Sequence, residues 1–155
     1  MQNRRTMLSR SSAVAAMLIA VGALPTLARA QAGAWNAAAF DARTLAEAMQ
    51  ALGAAAPTES RDVTVTGPDI AENGSVVPIG AASALPGVKR LLILIEKNPS
   101  ILAAAFEVSD AIDASVSTRV KMGQSSNVFA VAMMNDGKVL YASKEINVTL
   151  GGCGG

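Results

Sequence analysis

Histidine is absent from this 155-residue chain, and aromatic residues make up only 3% of it. Without histidine the chain lacks the commonest general base, the commonest metal ligand and the usual activator of a serine or cysteine nucleophile. Self-contained hydrolase chemistry and a zinc site are therefore not expected. Because 51% of the residues are hydrophobic yet few are aromatic, we predict a core of Val, Ile, Leu and Ala in a compact sheet, without an aromatic-lined ligand pocket.

Basic residues are scarce outside the first thirty positions. Four of the thirteen lie within that stretch, which contains no acidic residue: Arg4, Arg5, Arg10 and Arg29. The remaining nine accompany twelve acidic residues, and a mildly acidic body without basic runs or interleaved aromatics argues against nucleic acid as a partner. The seven methionines form no tight cluster, so we expect them to fill the core and predict no metal or other cofactor.

Residues 1–30 have the layout of a signal peptide. A basic start is followed by an apolar run from Ala13 to Leu24, a break at Pro25 and the small-x-small sequence at 28–30. This order is typical of a cleaved leader. The apolar run is too short for a spanning helix, so no membrane anchor is predicted.

The start of the leader suggests its export route. Arg4-Arg5 followed by Met7-Leu8 resembles the twin-arginine signature, although Ser9 stands where lysine is commoner. The alternative is an ordinary secretory signal with two basic residues. Either route puts the mature chain outside the cytoplasm, and the twin-arginine route indicates a bacterial periplasm.

A short amphipathic helix is predicted at the start of the mature chain, near Gln31. Apolar residues recur there at three- and four-residue steps: Phe40, Leu45, Ala48, Met49 and Leu52. Asp41 is the candidate N-cap and Gly53 the stop. Residues 54–60, AAAPTES, are predicted to form a linker.

Beyond the linker the hydrophobic period changes to two. The predicted strands are 62–67, 76–79, 87–99, 116–122, 126–143 with a hairpin turn at Asp136-Gly137, and 144–150. Residues 101–109 fit a strand or a helix, and Pro78 indicates an edge or a bulge. About seven short strands predict an all-β fold, an immunoglobulin-like β-sandwich with a short N-terminal helix, over residues 31–150.

The sequence GGCGG at 151–155 holds the only cysteine, Cys153. Glycine has the greatest backbone freedom, so four of them predict a flexible arm: Gly151, Gly152, Gly154 and Gly155. Five extended residues span roughly 17 Å, which would carry the sulfur into a cleft of another protein.

Cys153 has no cysteine partner in its own chain, although cysteines of exported proteins usually pair. It is therefore either used chemically or paired between chains. The nearest basic residue in sequence is Lys144, so the chain is not built to activate its own sulfur. A mobile thiol without a base is what a covalent carrier needs, because the enzymes it visits supply the chemistry.

Three segments of the chain resemble the SoxY family, the sulfur carriers of the periplasmic thiosulfate-oxidising system. They are VTLGGCGG at 148–155, TRVKMGQSSNVFAV at 118–131 and IAENGSVVPI at 70–79. The departures from the family pattern are conservative: Leu150 replaces a frequent isoleucine, and KMGQSS stands where KMAQTS is common.

The resemblance implies an immunoglobulin-like subunit that forms a heterodimer with a SoxZ-like subunit and carries sulfur intermediates covalently on Cys153. The four arm glycines match the swinging arm of the family. The implied partners are the cytochrome c complex SoxAX, which loads thiosulfate, the hydrolase SoxB, which releases sulfate, and a sulfur dehydrogenase where one is present. The carrier itself is implied to catalyse none of these steps.

Two other interpretations compete with this one. Ubiquitin-like sulfur carriers use a C-terminal Gly-Gly carboxylate, but they depend on cytoplasmic ATP chemistry, which the predicted leader disfavours. The other alternative is an extracytoplasmic immunoglobulin-like binding module whose lone cysteine forms an intermolecular disulfide.

Overall fold

The computed structural model describes residues 36–151, so the leader and the residues from Gly152 to Gly155, Cys153 included, lie outside the described residues. Two short helices come first, α1 (Ala37–Asp41) and α2 (Leu45–Ala51). The strands follow in chain order: β1 (Thr58–Glu59), β2 (Val63–Thr66), β3 (Ile70–Ala71), β4 (Val77–Ser83), β5 (Val88–Ile95), β6 (Leu102–Glu107), β7 (Ser115–Val120), β8 (Ser126–Met134) and β9 (Val139–Val148).

The described strands form two sheets that face each other. The large sheet has the order β1-β9-β8-β5-β6, with β3 also paired to β9, and the small sheet has the order β2-β4-β7. β1 and β3 run parallel to β9, whereas the other pairs are antiparallel. One core cluster contains residues of both sheets. The predicted all-β, immunoglobulin-like sandwich is therefore confirmed.

The large sheet is buried on both faces. Leu91, Ile93 and Ile95 of β5 join the core cluster between the sheets, whereas Leu92 and Leu94 join a second cluster with residues of the two helices. A strand covered on both sides needs apolar residues at every position, not only at alternate ones. This explains the continuous apolar run of β5, the most hydrophobic strand in the sequence.

The N-terminal helical segment differs from the prediction. It forms two helices instead of one, and the prediction of Asp41 as N-cap is wrong, since Asp41 is the last residue of α1. The caps are Asn36 for α1 and Thr44 for α2, and the Thr44 hydroxyl accepts a hydrogen bond from the Glu47 amide at 3.2 Å. Gly53, with φ of 64°, ends α2 in the left-handed conformation that glycine favours, which confirms the predicted stop.

The strand predictions need three corrections. The described chain has nine strands instead of seven, because β1 within the expected linker and β3 have only two residues each and carry no period-two signal. Residues 144–150 form no separate strand, since β9 runs unbroken from Val139 to Val148. The ambiguous segment 101–109 contains a strand, β6.

Pro78 lies in β4, the central strand of the small sheet, yet its surroundings are those of an edge. The pairing of β2 with β4 ends at Thr66 and Gly80, so Pro78 has a paired neighbour only in β7. A residue without a backbone N–H is tolerated at such a position.

Candidate functional site

The segment that leads to Cys153 leaves β9 at one end of the sandwich. There the Thr149 amide donates to the Ala71 carbonyl at 3.1 Å, and the Gly74 amide donates to the Leu150 carbonyl at 2.7 Å. The Thr149 hydroxyl also donates to the Glu72 carbonyl at 3.0 Å. Residues 71–74 therefore hold the chain for two residues beyond the end of β9. We call this part of the molecule the Gly151 end.

The loop at 121–125 holds the same segment from another side. The Met122 amide donates to the Gly74 carbonyl at 2.7 Å, so the two loops bond to each other. The Ser125 hydroxyl accepts from the Val148 amide at 2.9 Å. These contacts join parts of the three segments that carry the SoxY resemblance, which are far apart in sequence.

Gly151 lies against the carbonyl of Gly123. A Cβ atom added to Gly151 would fall 2.3 Å from that carbonyl oxygen, a distance at which the backbone has to shift. Only glycine permits this close approach. Gly151 was predicted from sequence as part of the flexible arm, and the structure gives it a steric requirement in addition.

Asn98 supports the 121–125 loop from a third loop, 96–100. Its amide nitrogen donates to the Lys121 carbonyl at 2.7 Å, and its amide oxygen accepts from the Gly123 amide at 3.2 Å. Sequence reasoning missed this role, because the only signal at Asn98 is that it precedes Pro99 and so favours the end of a strand.

The charges near the Gly151 end include one exposed ion pair. The Lys144 ammonium lies 2.9 Å from the Asp69 carboxylate and donates to the Gly67 carbonyl at 2.6 Å. The hydrogen bond from Lys144, and then its positive charge, hold the pKa of Asp69 below its ordinary value. Lys121, close to Gly123 in sequence, has no ion-pair partner within 36–151, so the fold brings a cation nearer to Gly151 than the sequence suggested.

The predicted site residues divide at the limit of the described structure. Gly151 is described and exposed, whereas Gly152, Cys153, Gly154 and Gly155 lie outside the described residues. Between residues 36 and 151 no three acidic or cysteine side chains come together as metal ligands. Within that range no helix has the length and hydropathy to cross a membrane.

Comparison with known proteins assigns the family. The family model described as "Sulfur oxidation protein SoxY" matches residues 48–153, which include the three contacting loops and Cys153. The chain belongs to the SoxY family. The resemblance seen in the sequence is thereby confirmed, and the chain is a sulfur carrier protein of sulfur oxidation.

Solved structures agree with this assignment. The sulfur carrier protein SoxY from Chlorobium limicola f thiosulfatophilum is 31% identical, with a TM-score of 0.59 over 66% of this chain and 92% of that chain. A variant of the superoxide reductase (neelaredoxin) from Ignicoccus hospitalis is 13% identical, with a TM-score of 0.50 over 56% of this chain and 78% of that chain. At this identity the likeness concerns the fold alone. No curated protein matches the chain.

Proposed function

We propose that this SoxY protein carries sulfur intermediates of thiosulfate oxidation covalently on Cys153 and presents them to partner enzymes in the periplasm. The observation that carries the proposal is the fixed start of the terminal segment: Leu150 is hydrogen bonded to Gly74, Gly151 packs on Gly123, and the thiol follows two residues later. This arrangement fixes where the sulfur leaves the sandwich.

The proposed chemistry starts from the free thiol. The Cys153 sulfur forms a disulfide bond with the outer sulfur of thiosulfate, the thiol proton is released, and a pair of electrons passes to a cytochrome c complex of the SoxAX kind. A SoxB-like hydrolase then adds water to the terminal sulfonate. The bond between the sulfonate and the neighbouring sulfur breaks, hydrogen sulfate leaves, and a persulfide remains on Cys153. A sulfur dehydrogenase, where present, oxidises that outer sulfur.

In this proposal the chain itself catalyses none of these steps. It has no histidine, and between residues 36 and 151 no buried side-chain nitrogen or oxygen lacks a hydrogen-bond partner, so no unpaired buried polar atom suggests a catalytic pocket there. The chain positions the thiol, and the enzymes supply acids, bases, metals and electron acceptors.

The compartment and the second subunit are part of the proposal. The leader over 1–30, with its arginine pair, supports export to the periplasm, through the twin-arginine route or the general secretory route. A SoxZ-like subunit is proposed as the heterodimer partner. Cell fractionation with N-terminal sequencing of the mature chain tests the compartment, and co-purification of the two chains tests the pairing.

Replacing the thiol tests the carrier role directly. In the system reconstituted with partner enzymes, Cys153→Ser is expected to reduce thiosulfate turnover to background while the free energy of unfolding stays within about 0.5 kcal/mol of the natural value, since the change lies outside the core. Mass analysis of the unmutated protein after turnover should place reducible sulfur adducts on Cys153.

A matched control moves the thiol instead of removing it. Ser109 is exposed in the loop after β6, at the other end of the sandwich. Ser109→Cys in the Cys153→Ser protein restores a thiol without restoring its place, and we expect no turnover. Turnover by Cys153→Ser alone would contradict the carrier proposal. A simple disulfide dimer as the only modified form would favour the binding-module interpretation.

A further inference from the structure

Exposed apolar side chains are concentrated at the Gly151 end. Four large apolar residues are exposed among the described residues: Ile70 (61%), Val76 (55%), Ile112 (61%) and Leu150 (66%). Three of them lie on segments that meet at the Gly151 end, and only Ile112 lies at the opposite end. Single exposed apolar residues are ordinary, whereas a cluster at one place marks an interaction surface.

Backbone pairing brings the three residues together. Ile70 is paired with Asn147 in the β3–β9 ladder, three residues before Leu150. The Leu150 carbonyl is bonded to the Gly74 amide, and Val76 follows Gly74 by two residues. Ile70, Val76 and Leu150 therefore surround the point at which the terminal segment leaves the sandwich. We call these three residues the Leu150 patch.

The short distance along the chain to the thiol restricts what can cover this patch. Because Leu150 and Gly151 are held by the loops, only two residues separate the held chain from Cys153, and two extended residues span roughly 7 Å. The five-residue reach of roughly 17 Å expected from the sequence is therefore too long. An active site that reacts with Cys153 must come within that shorter distance of the sandwich, so the rim of its cleft has to approach the patch.

We propose that the Leu150 patch is a docking surface for the enzymes that act on Cys153, and that the rim of their clefts is apolar where it meets the patch. This inference rests on the carrier role proposed above. The contact buries apolar surface on both sides at the moment of reaction. It is small, because only three side chains form it, and a small contact suits a carrier that must leave each enzyme after the reaction.

The test compares two exposed apolar residues at opposite ends. Leu150→Glu puts a charge in the proposed contact, and Ile112→Glu puts the same charge at a similarly exposed position on the opposite end. We expect Leu150→Glu to lower the kcat/KM of the partner enzymes by about tenfold or more, as for a residue central to an interface. The rate of Cys153 with a small alkylating reagent should stay the same in both variants. Ile112→Glu should leave kcat/KM unchanged.

Further variants and measurements keep the result interpretable. Val76→Glu alters the patch without changing the terminal segment, and it should also lower kcat/KM with unchanged alkylation. Equal kcat/KM for all three variants would overturn the proposal, and so would slower alkylation of Leu150→Glu and Val76→Glu, which would indicate a disturbed thiol. Loss of self-association or of SoxZ pairing in sedimentation would instead assign the patch to a subunit interface. Turnover by Cys153→Ser would refute the carrier role whatever the patch variants do.

Discussion

The two ends of the sandwich are held in different ways. At the Gly151 end, loops distant in sequence bond to one another: Gly74 donates to Leu150, and Met122 donates to Gly74. The opposite end, which we call the Asp136 end, contains the β8–β9 turn. That turn closes on itself, because Gly137 donates to Met134 and Lys138 donates to the Asp136 side chain.

The difference shows how the fold separates a local turn from a long-range arrangement. Asp136-Gly137 is a short-range hairpin signal, and Gly137 has the positive φ, 89°, that such a turn needs. The Gly151 end has no comparable local signal, since its contacts form only after both sheets have placed the loops. We therefore expect substitutions at the Gly151 end to affect the position of the terminal segment, and equivalent changes at the Asp136 end to remain local.

The largest effect is expected from a methyl group at Gly151. Gly151→Ala places a Cβ against the Gly123 carbonyl, and forcing an extra carbon into a tight contact costs about 1–3 kcal/mol. The free energy of unfolding should fall within that range unless the terminal segment detaches, in which case hydrogen exchange at the Gly74 amide should accelerate. Gly154→Ala removes a glycine from the same sequence and is the control. Unchanged stability together with unchanged exchange would show that the contact is unimportant.

A smaller effect is expected from the side chain that supports the 121–125 loop. Asn98→Ala removes hydrogen bonds to the Lys121 carbonyl and from the Gly123 amide, so it should lower the free energy of unfolding by about 1–2 kcal/mol. Asn135→Ala, at the Asp136 end, makes the same chemical change in an exposed turn and should cost less than about 0.5 kcal/mol. Urea denaturation measures both, and equal losses would remove the distinction between the ends.

The smallest effects concern one exposed ion pair at each end. The pKa of Asp69 is lowered first by the hydrogen bond from the Lys144 side chain, whereas that of Asp136 is lowered first by the Lys138 backbone amide. Lys144→Met should therefore return the pKa of Asp69 to near 3.8, whereas Lys138→Met should leave the pKa of Asp136 low. Carboxyl titration by NMR measures both, and a large rise for Asp136 would contradict the assigned cause.

The sign of the pH dependence follows from the lowered pKa of Asp69. Its ion pair with Lys144 contributes stability above the unfolded pKa, and that contribution is lost as the pH falls through the lower folded value. The difference in unfolding free energy between the natural protein and Lys144→Met should therefore shrink as the pH falls below 3.8. A difference that grew towards acid would assign the wrong sign to the interaction.

Sequence reasoning succeeded where the signal was local or strongly periodic. The sandwich, the Asp136-Gly137 turn and the Gly53 stop all follow from short patterns of residues, and the structure confirms them. It failed where tertiary contacts replaced local preference. Asp41 is a good cap residue by type, yet the packing of the helical segment on the large sheet ends α1 at Asp41 and begins α2 after Thr44.

The terminal site was predicted only in part. The glycines and Cys153 were evident in sequence, and the family match extends to Cys153. The support from Asn98 and the exposure of Ile70 and Val76 were not evident, because they depend on which loops meet at one end of the sandwich. No spacing in the sequence records that meeting, since the loops are separated by whole strands.

The sequence by itself determined the chemistry of this protein: a chain without histidine, with one thiol between glycine pairs and strands rich in Val, Ile and Ala, because residue types fix reactivity and local conformation. Only the tertiary structure decided where the held chain ends. It bonds Leu150 to Gly74 and packs Gly151 on Gly123, because backbone groups at the end of a sheet must find partners in loops that the sheet itself brings together.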